Sequence, residues 1–337
     1  MLIFGGGYDP CEDADPVSDT CRSNAKGRQI YVADAATGTR LKKFDTERGV
    51  IGDVFIVSDP ATGIALWAYA ADLGGNVYRI SGNDANTPFE NTTPSNWTIT
   101  KIADLGCSST SACTGNRKFM FMPDIVEKNG TYYLLLGSGD REKPLGLDVD
   151  GNPYWSTAYN TSNYFFMVTD TPTDDTWLES ENGNCGSDVM CLDSLLEIGD
   201  SNPDPDDLAE KKGWYLQLNP NEQVVTSAIT VFGTTTFSTH TPVSPVAGQC
   251  TSNLGTARVY NIRFLNAAAR VGEDRSAMIS GGGLPPSPVA GLVTLDDGTT
   301  VPFCIGCDAR SSLEGKLPDS PSTGTQPKSL TYWYIEK

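Results

Sequence analysis

The chain has 337 residues, with 42 Asp or Glu against 24 Lys or Arg and a formal net charge of −18. Binding to nucleic acid or to an anionic membrane surface relies on Lys and Arg displacing counterions, so this balance disfavours both partners. With 20% charged residues, 34 Gly and 21 Pro, the composition is rich in turns and unlike a helical bundle or a disordered chain, and no apolar run is long enough to insert in a membrane as a helix.

In chain order, the first predicted strand is Leu2-Ile3-Phe4, followed by Gly5-Gly6-Gly7. No signal peptide precedes it, which predicts a piece excised from a larger exported protein. Residues 8–28, holding Asp9, Glu12, Asp13, Asp15 and Asp19, read as a surface loop closed by a disulfide. Gln29 to Asp34 then forms a strand that turns at Ala35-Ala36-Thr37-Gly38 and returns through Leu41 to Phe44. A second such unit has a strand at Val54 to Val57 and a turn at Ser58 to Gly63.

That turn feeds the stretch around which the chain is organised, WAYAADLGGNVYRI at 67–80. Tyr69, Ala71, Leu73, Val77 and Tyr78 are patterned as strands, and Asp72-Leu73-Gly74-Gly75-Asn76 supplies a tight turn between them. Further strands are read at Trp97 to Ile102, Leu134 to Gly137, Tyr164 to Asp170 and Arg258 to Phe264. Residues 82–117 and 171–212 are polar inserts, and Leu192, Leu195, Leu196 and Ile198 in the second are expected to share one short helix. Trp214 to Leu218, Gln223 to Thr226 and Ile229 to Phe232 are expected as consecutive strands of one sheet. Ala290 to Leu295 pairs with Thr299 to Phe303 through Asp296-Asp297-Gly298. Residues 316–329 read as a linker before a closing strand, Leu330 to Ile335, placed beside the first strand.

A hairpin cannot bury its apolar face alone, whereas a ring of hairpins packs face to face and leaves only short edges. The expected fold is therefore all-β: a single modified β-propeller domain over 1–337 with long disulfide-stapled insertions. A blade of roughly 40–50 residues gives about seven or eight blades. A β-sandwich or solenoid of similar hairpins is the competing architecture.

Nine cysteines set further expectations. Close spacing between polar turn residues predicts local bridges Cys11–Cys21, Cys107–Cys113 and Cys185–Cys191, and hence an oxidising compartment. Cys250 is expected to pair with Cys304 or Cys307. Zinc at Cys304-Ile-Gly-Cys307 lacks partners, because there is no second Cys-x-x-Cys and His240 is the sole histidine. Sequons stand at Asn91, Asn96, Asn129 and Asn160.

Oxygen side chains at alternate positions make Asp148, Asp150 and Asn152 a calcium candidate, although Pro153 replaces the Gly of the bend and Tyr159 the closing Glu. Asp200, Asn202, Asp204 and Asp206, with Glu210 nearby, alternate in the same way in a loop stiffened by prolines. Catalysis finds little footing. His240 has serines nearby but no Gly-x-Ser-x-Gly elbow is present. Two alternatives stay open. One is a quinone-dependent dehydrogenase-like propeller; the other is a secreted carbohydrate-binding propeller presenting Trp97, Tyr154, Trp155 and Tyr159, aromatics for which packing within the blades is the more common role.

Several segments together resemble one family: FGGGYD at 4–9, IYVADAATG at 30–38, YAADLGGNVYRI at 69–80, LLGSGDREKPLG at 135–146, NYFFMVTD at 163–170, GWYLQL at 213–218 and GGGLPPSPV at 281–289. In this order they are similar to the C-terminal β-propeller domain of PilC/PilY-type proteins of bacterial type IV pili. The resemblance implies a modified seven-bladed propeller without enzymatic activity, exported to the cell surface, at the pilus tip or outer membrane. It implies a part in pilus assembly, twitching motility and adhesion, with minor pilins or other tip components and host or abiotic surface receptors as partners. The family's calcium loop would fall at Ser58 to Leu66, where Pro60, Thr62 and Leu66 stand at positions that call for carboxylates and Pro60 and Leu66 carry no side-chain oxygen at all, so the loop reads as degenerate and no cofactor is required.

Overall fold

The computed structural model describes residues 1–8, 26–90, 92–106, 117–145, 161–244, 253–270, 272–296, 298 and 300–308. Its local units are turns of one kind. Asp34-Ala35-Ala36-Thr37-Gly38 and Asp59-Pro60-Ala61-Thr62-Gly63 each fold back on the Asp side chain. The Asp34 carboxylate accepts the amides of Ala36 (3.0 Å) and Thr37 (2.8 Å), and that of Asp59 accepts Ala61 (2.7 Å) and Thr62 (3.0 Å). Gly38 and Gly63 close the turns at φ 70°, where a side chain would be strained. The stretch Ser58 to Leu66 holds the second of these turns.

These amides hold both carboxyls below the usual carboxylate range, through Thr37 first for Asp34 and Thr62 first for Asp59. A depressed folded pKa contributes stability above the unfolded pKa and loses it as pH falls through the folded value. Carboxyl-carbon NMR titration should therefore place both midpoints below about 3.9. A midpoint at or above that value would show that the turns do not hold their amide bonds in solution.

The strands form five sheets among the described residues. The first contains β1 (Leu2–Gly5), β2 (Gln29–Ala33) and β3 (Arg40–Asp45), in that order. β4 (Phe55–Ser58), β5 (Ala65–Ala71), β6 (Asn76–Ser81) and β7 (Thr98–Asp104) make the second, an antiparallel meander. The third comprises β8 (Asp124–Lys128), β9 (Thr131–Gly137), β10 (Tyr164–Asp170), β11 (Leu196–Ile198) and β12 (Gly213–Gln217), ordered β11-β12-β10-β9-β8. In the fourth, β13 (Gln223–Val224) and β14 (Ile229–Val231) both pair with β15 (Thr234–Thr241), followed by β16 (Thr256–Arg263) and β17 (Ser276–Ile279). β18 (Val289–Thr294) and β19 (Thr300–Ile305) form the fifth.

Neighbouring sheets share cores in series. Ile30, Val32 and Phe44 of the first sheet pack against Ala68, Ala70 and Ile80 of the second. The other face of the same hairpin turns Trp67, Tyr69, Ala71 and Val77 toward Ile125, Leu134 and Phe166 of the third. Phe165, Trp214 and Leu216 then meet Phe237, Tyr260 and Ile262 of the fourth, with Phe165 stacked on Phe237 at 3.7 Å. Period-two alternation therefore serves two cores at once, and every residue from 67 to 82 is buried.

Three expectations are corrected. Leu192 to Ile198 is not one helix. A 3-10 turn, Leu192–Ser194, leads into β11, which pairs parallel to β12 and so gains ladder bonds that a short exposed helix would lack. The strand over 213–217 does not join the two that follow, because β12 pairs with β10 while β13 and β14 cross to β15. Cys304 is bridged to Cys307 where one of them was expected to pair with Cys250, which lies outside the described residues; the turn after β19 brings the two Cα atoms to 5.7 Å, within disulfide reach. The stretch 330–335 lies outside the described residues.

Candidate functional site

The buried turn of the central hairpin is built around Asp72. One carboxylate oxygen accepts the amides of Gly74 (2.8 Å) and Asn76 (3.0 Å), and the other accepts the Arg48 amide (3.0 Å) and the Tyr78 hydroxyl (2.9 Å). Three neighbouring segments dock on this turn through backbone bonds: Leu73 N to Gly49 O, Leu105 N to Gly75 O, and Phe119 N to Asp72 O. Gly75, at φ 82°, lies against Gly106, and a Cβ there would fall 2.6 Å from the Gly106 Cα.

From this turn a polar seam runs across the sheets. Lys118, beside Phe119, donates from Nζ to Asp140 at 2.7 Å, and both side chains are almost fully buried. Asp140 in turn caps its own loop by accepting the amides of Glu142 (3.1 Å) and Lys143 (2.9 Å). Its own amide donates to Gln223 Oε1 at 2.7 Å, and Val224 N donates to Ser138 O, which ties the third sheet to the fourth. The glycines of the segment LGSGD make this approach possible, since a Cβ at Gly137 would lie 2.4 Å from the Val224 side chain. Further along, Glu222 accepts from the Tyr260 hydroxyl at 3.0 Å and from Thr239.

A second buried contact joins sheets two and three. Arg79 on β6 grips both oxygens of Asp170 at the end of β10, at 2.6 and 2.7 Å, and the Tyr69 hydroxyl donates to the same carboxylate at 2.8 Å. Burial, followed by the Asp170 charge, pushes the Tyr69 pKa well up, so the hydroxyl keeps its proton.

The insert over 171–212 straps the same two sheets from outside. Met190 exchanges backbone bonds with Ile102 O (3.1 Å) and Asp104 N (2.8 Å), while β11 extends the third sheet. Cys185 and Cys191 are joined by a disulfide beside the buried Glu181, which takes an ion pair from Lys212 at 3.2 Å and a hydrogen bond from Ser194.

Asp204 accepts the Asp206 amide at 2.9 Å and caps the short helix Pro205–Ala209, so this part of the acidic run has a helix-capping role. Asp148, Asp150 and Asn152 lie outside the described residues, as do Cys11, Cys21, Cys107, Cys113, Tyr154, Trp155 and Tyr159. Among the described residues no three His, Cys, Asp or Glu side chains gather as a metal centre would require. His240 Nε2 bonds the Leu254 carbonyl at 2.7 Å, within a largely buried setting. Trp97 is buried, which fits sheet packing and not an exposed carbohydrate platform: it stacks on Phe89 at 4.0 Å and donates to Thr92, because the insert folds back over β5 through Phe89 N and Leu66 O.

The long-range partners in this network escaped sequence reading, although the segments carrying them, GSGD and MVTD, were visible. What the arrangement does is fix sheets against one another. Apolar side chains reach solvent elsewhere, at Met278, Leu254, Leu284, Val289 and Leu292. Among the described residues no helix is long and apolar enough to cross a membrane.

No protein-family model matches the chain, and no curated protein matches it in sequence. Among solved structures, the chain is similar to the C-terminal domain of PilY1 from Pseudomonas aeruginosa, with a TM-score of 0.54 and 15% identity. The match covers 88% of this chain and 67% of that one, so the two share an all-β fold.

Proposed function

We propose that the chain is a docking domain of an exported, type IV pilus-associated protein, working without catalysis in pilus assembly, twitching motility and surface adhesion. The observation that carries this reading is the fold likeness to the PilY1 C-terminal domain over 88% of the chain. The seam adds support, because its buried ionisable groups are committed to holding sheets together and a rigid frame with decorated loops suits binding. In this reading the ring has about seven blades, its partners are minor pilins or other tip components, and its place is the pilus tip or outer surface. Electron-microscopy projections down the ring axis are then expected to show about seven lobes; an open two-layer sandwich would remove the propeller.

Deleting the region from the parent gene tests the role itself. Fewer surface pili, smaller twitching zones and fewer adherent cells are expected. Normal pilus counts with unchanged twitching and adhesion would overturn the pilus assignment.

A further inference from the structure

Asn129 and Gly130 make up the whole turn between β8 and β9, since Lys128 and Thr131 on either side of them form a register pair. Both are left-handed, at φ 55° and 80°, as a two-residue turn that follows the strand twist requires. Residues 127–130 are all exposed, and a Cβ built on Gly130 would meet nothing within 4 Å. Among the described residues the Asn129 side chain makes no hydrogen bond. The Gly130 amide does make one: it donates to Glu127 Oε1 at 2.8 Å.

An asparagine followed by a glycine carries the parts of a reaction with itself. The glycine nitrogen, once base has taken its proton, attacks the asparagine Cγ; the N–Cγ bond forms, the Cγ–Nδ2 bond breaks, and ammonia leaves with a proton from solvent. Water then opens the cyclic imide. Attack at Cγ restores the main chain and leaves an aspartate, whereas attack at the backbone carbonyl leaves the chain running through Cβ and Cγ, one methylene longer. The sum is asparagine plus water to aspartate or isoaspartate plus ammonia, so neither an oxidant nor a second protein is needed. Glycine is the permissive neighbour because no side chain shields its nitrogen.

We propose that Asn129 is a site of this modification and that Glu127 sets its rate in the folded chain. The reaction passes through the Gly130 amide anion, and Glu127 opposes that anion twice: its hydrogen bond favours the protonated amide, and its charge repels the negative nitrogen. The product matters to the hairpin. It adds a negative charge beside Glu127 in a chain already at −18, and the isoaspartyl form is too long for a two-residue turn between Lys128 and Thr131. None of this depends on the docking reading.

The full chain is held in mildly alkaline buffer and digested at intervals, and peptide mass spectrometry reads conversion at Asn129. The other Asn–Gly pair of the sequence, Asn182–Gly183 in the helix Glu181–Cys185, is the internal reference. Conversion at Asn129 is expected to be slower in the folded protein than in urea. Glu127→Ala should speed it about tenfold in the folded protein, the equivalent of one pKa unit at the Gly130 amide, and leave Asn182 unchanged. Glu127→Gln keeps an acceptor without the charge and should fall between. In urea all these chains should react alike at Asn129. An unchanged rate at Asn129 in folded Glu127→Ala, equal rates for folded and unfolded wild type, or an acceleration at Asn182 as large as that at Asn129 would each overturn the proposal.

Discussion

Asp170→Ala is expected to remove about 3–5 kcal/mol of stability, the usual cost of breaking a buried ion pair by deleting one partner. Asp170 is fully buried, and the Arg79 side chain that meets it is only 4% exposed, so the guanidinium left behind would have no water to turn to. Arg79 keeps one bond, from Nη2 to the Ala85 carbonyl at 3.0 Å, and its Nε already lacks a partner. The Tyr69 hydroxyl would lose its acceptor as well. Urea denaturation of wild type, Asp170→Ala, Arg79→Met and the double variant separates the terms. The double variant should recover part of the loss, because removing both charges also removes the burial penalty. A loss below about 1 kcal/mol for Asp170→Ala would mean that the pair is solvated in solution and does not couple the sheets.

The second large effect is expected at Asp140. Asp140→Ala takes away the charge that faces Lys118 and the acceptor for the Glu142 and Lys143 amides in a single change. A loss of about 3 kcal/mol or more follows from one buried pair and two unsatisfied donors. Gln223→Ala should cost less, since it removes neutral bonds, to the Asp140 amide and from Gln223 Nε2 to the Pro144 carbonyl. The consequence reaches beyond one loop, because Gly139 N bonds Lys118 O and Val224 N bonds Ser138 O across the same seam. Amide exchange at Gly139 and Val224 should accelerate together in Asp140→Ala. If only the 140–143 amides accelerated, the seam would be a set of separate loops and not a connection between sheets three and four.

The coupling bears on the proposed docking role. A surface that binds by complementarity gains when its framework is rigid, since less ordering has to be supplied on association. Arg79–Asp170, the Met190 strap and the Lys118–Asp140 pair all act between sheets two and three or three and four. The fourth sheet is likewise braced to the third through Gln223 and Phe237.

What the sequence determined by itself was much of what is set within a few residues, the 192–198 segment and the Cys304–Cys307 bridge excepted. The turns at Asp34, Asp59 and Asp72 were legible because a side-chain carboxylate bonds amides two to four positions on and a glycine takes the following left-handed conformation. Strand positions followed from alternation, and β10, Tyr164–Asp170, matches its expected span. The Cys185–Cys191 spacing similarly kept the two thiols within local reach. Only the tertiary structure decided which strand joined which sheet, and which charges met. β12, β13 and β14 share one local grammar, but β12 is drawn to β10 while the others pair with β15, because Val224 fits against Gly137 and the ladder of each sheet is completed by partners distant in sequence. Arg79 and Asp170 stand 91 residues apart, and nothing near either one names the other. Their pairing follows from two sheets packing until a buried cation has to find an anion, a condition imposed by burial and absent from any local pattern.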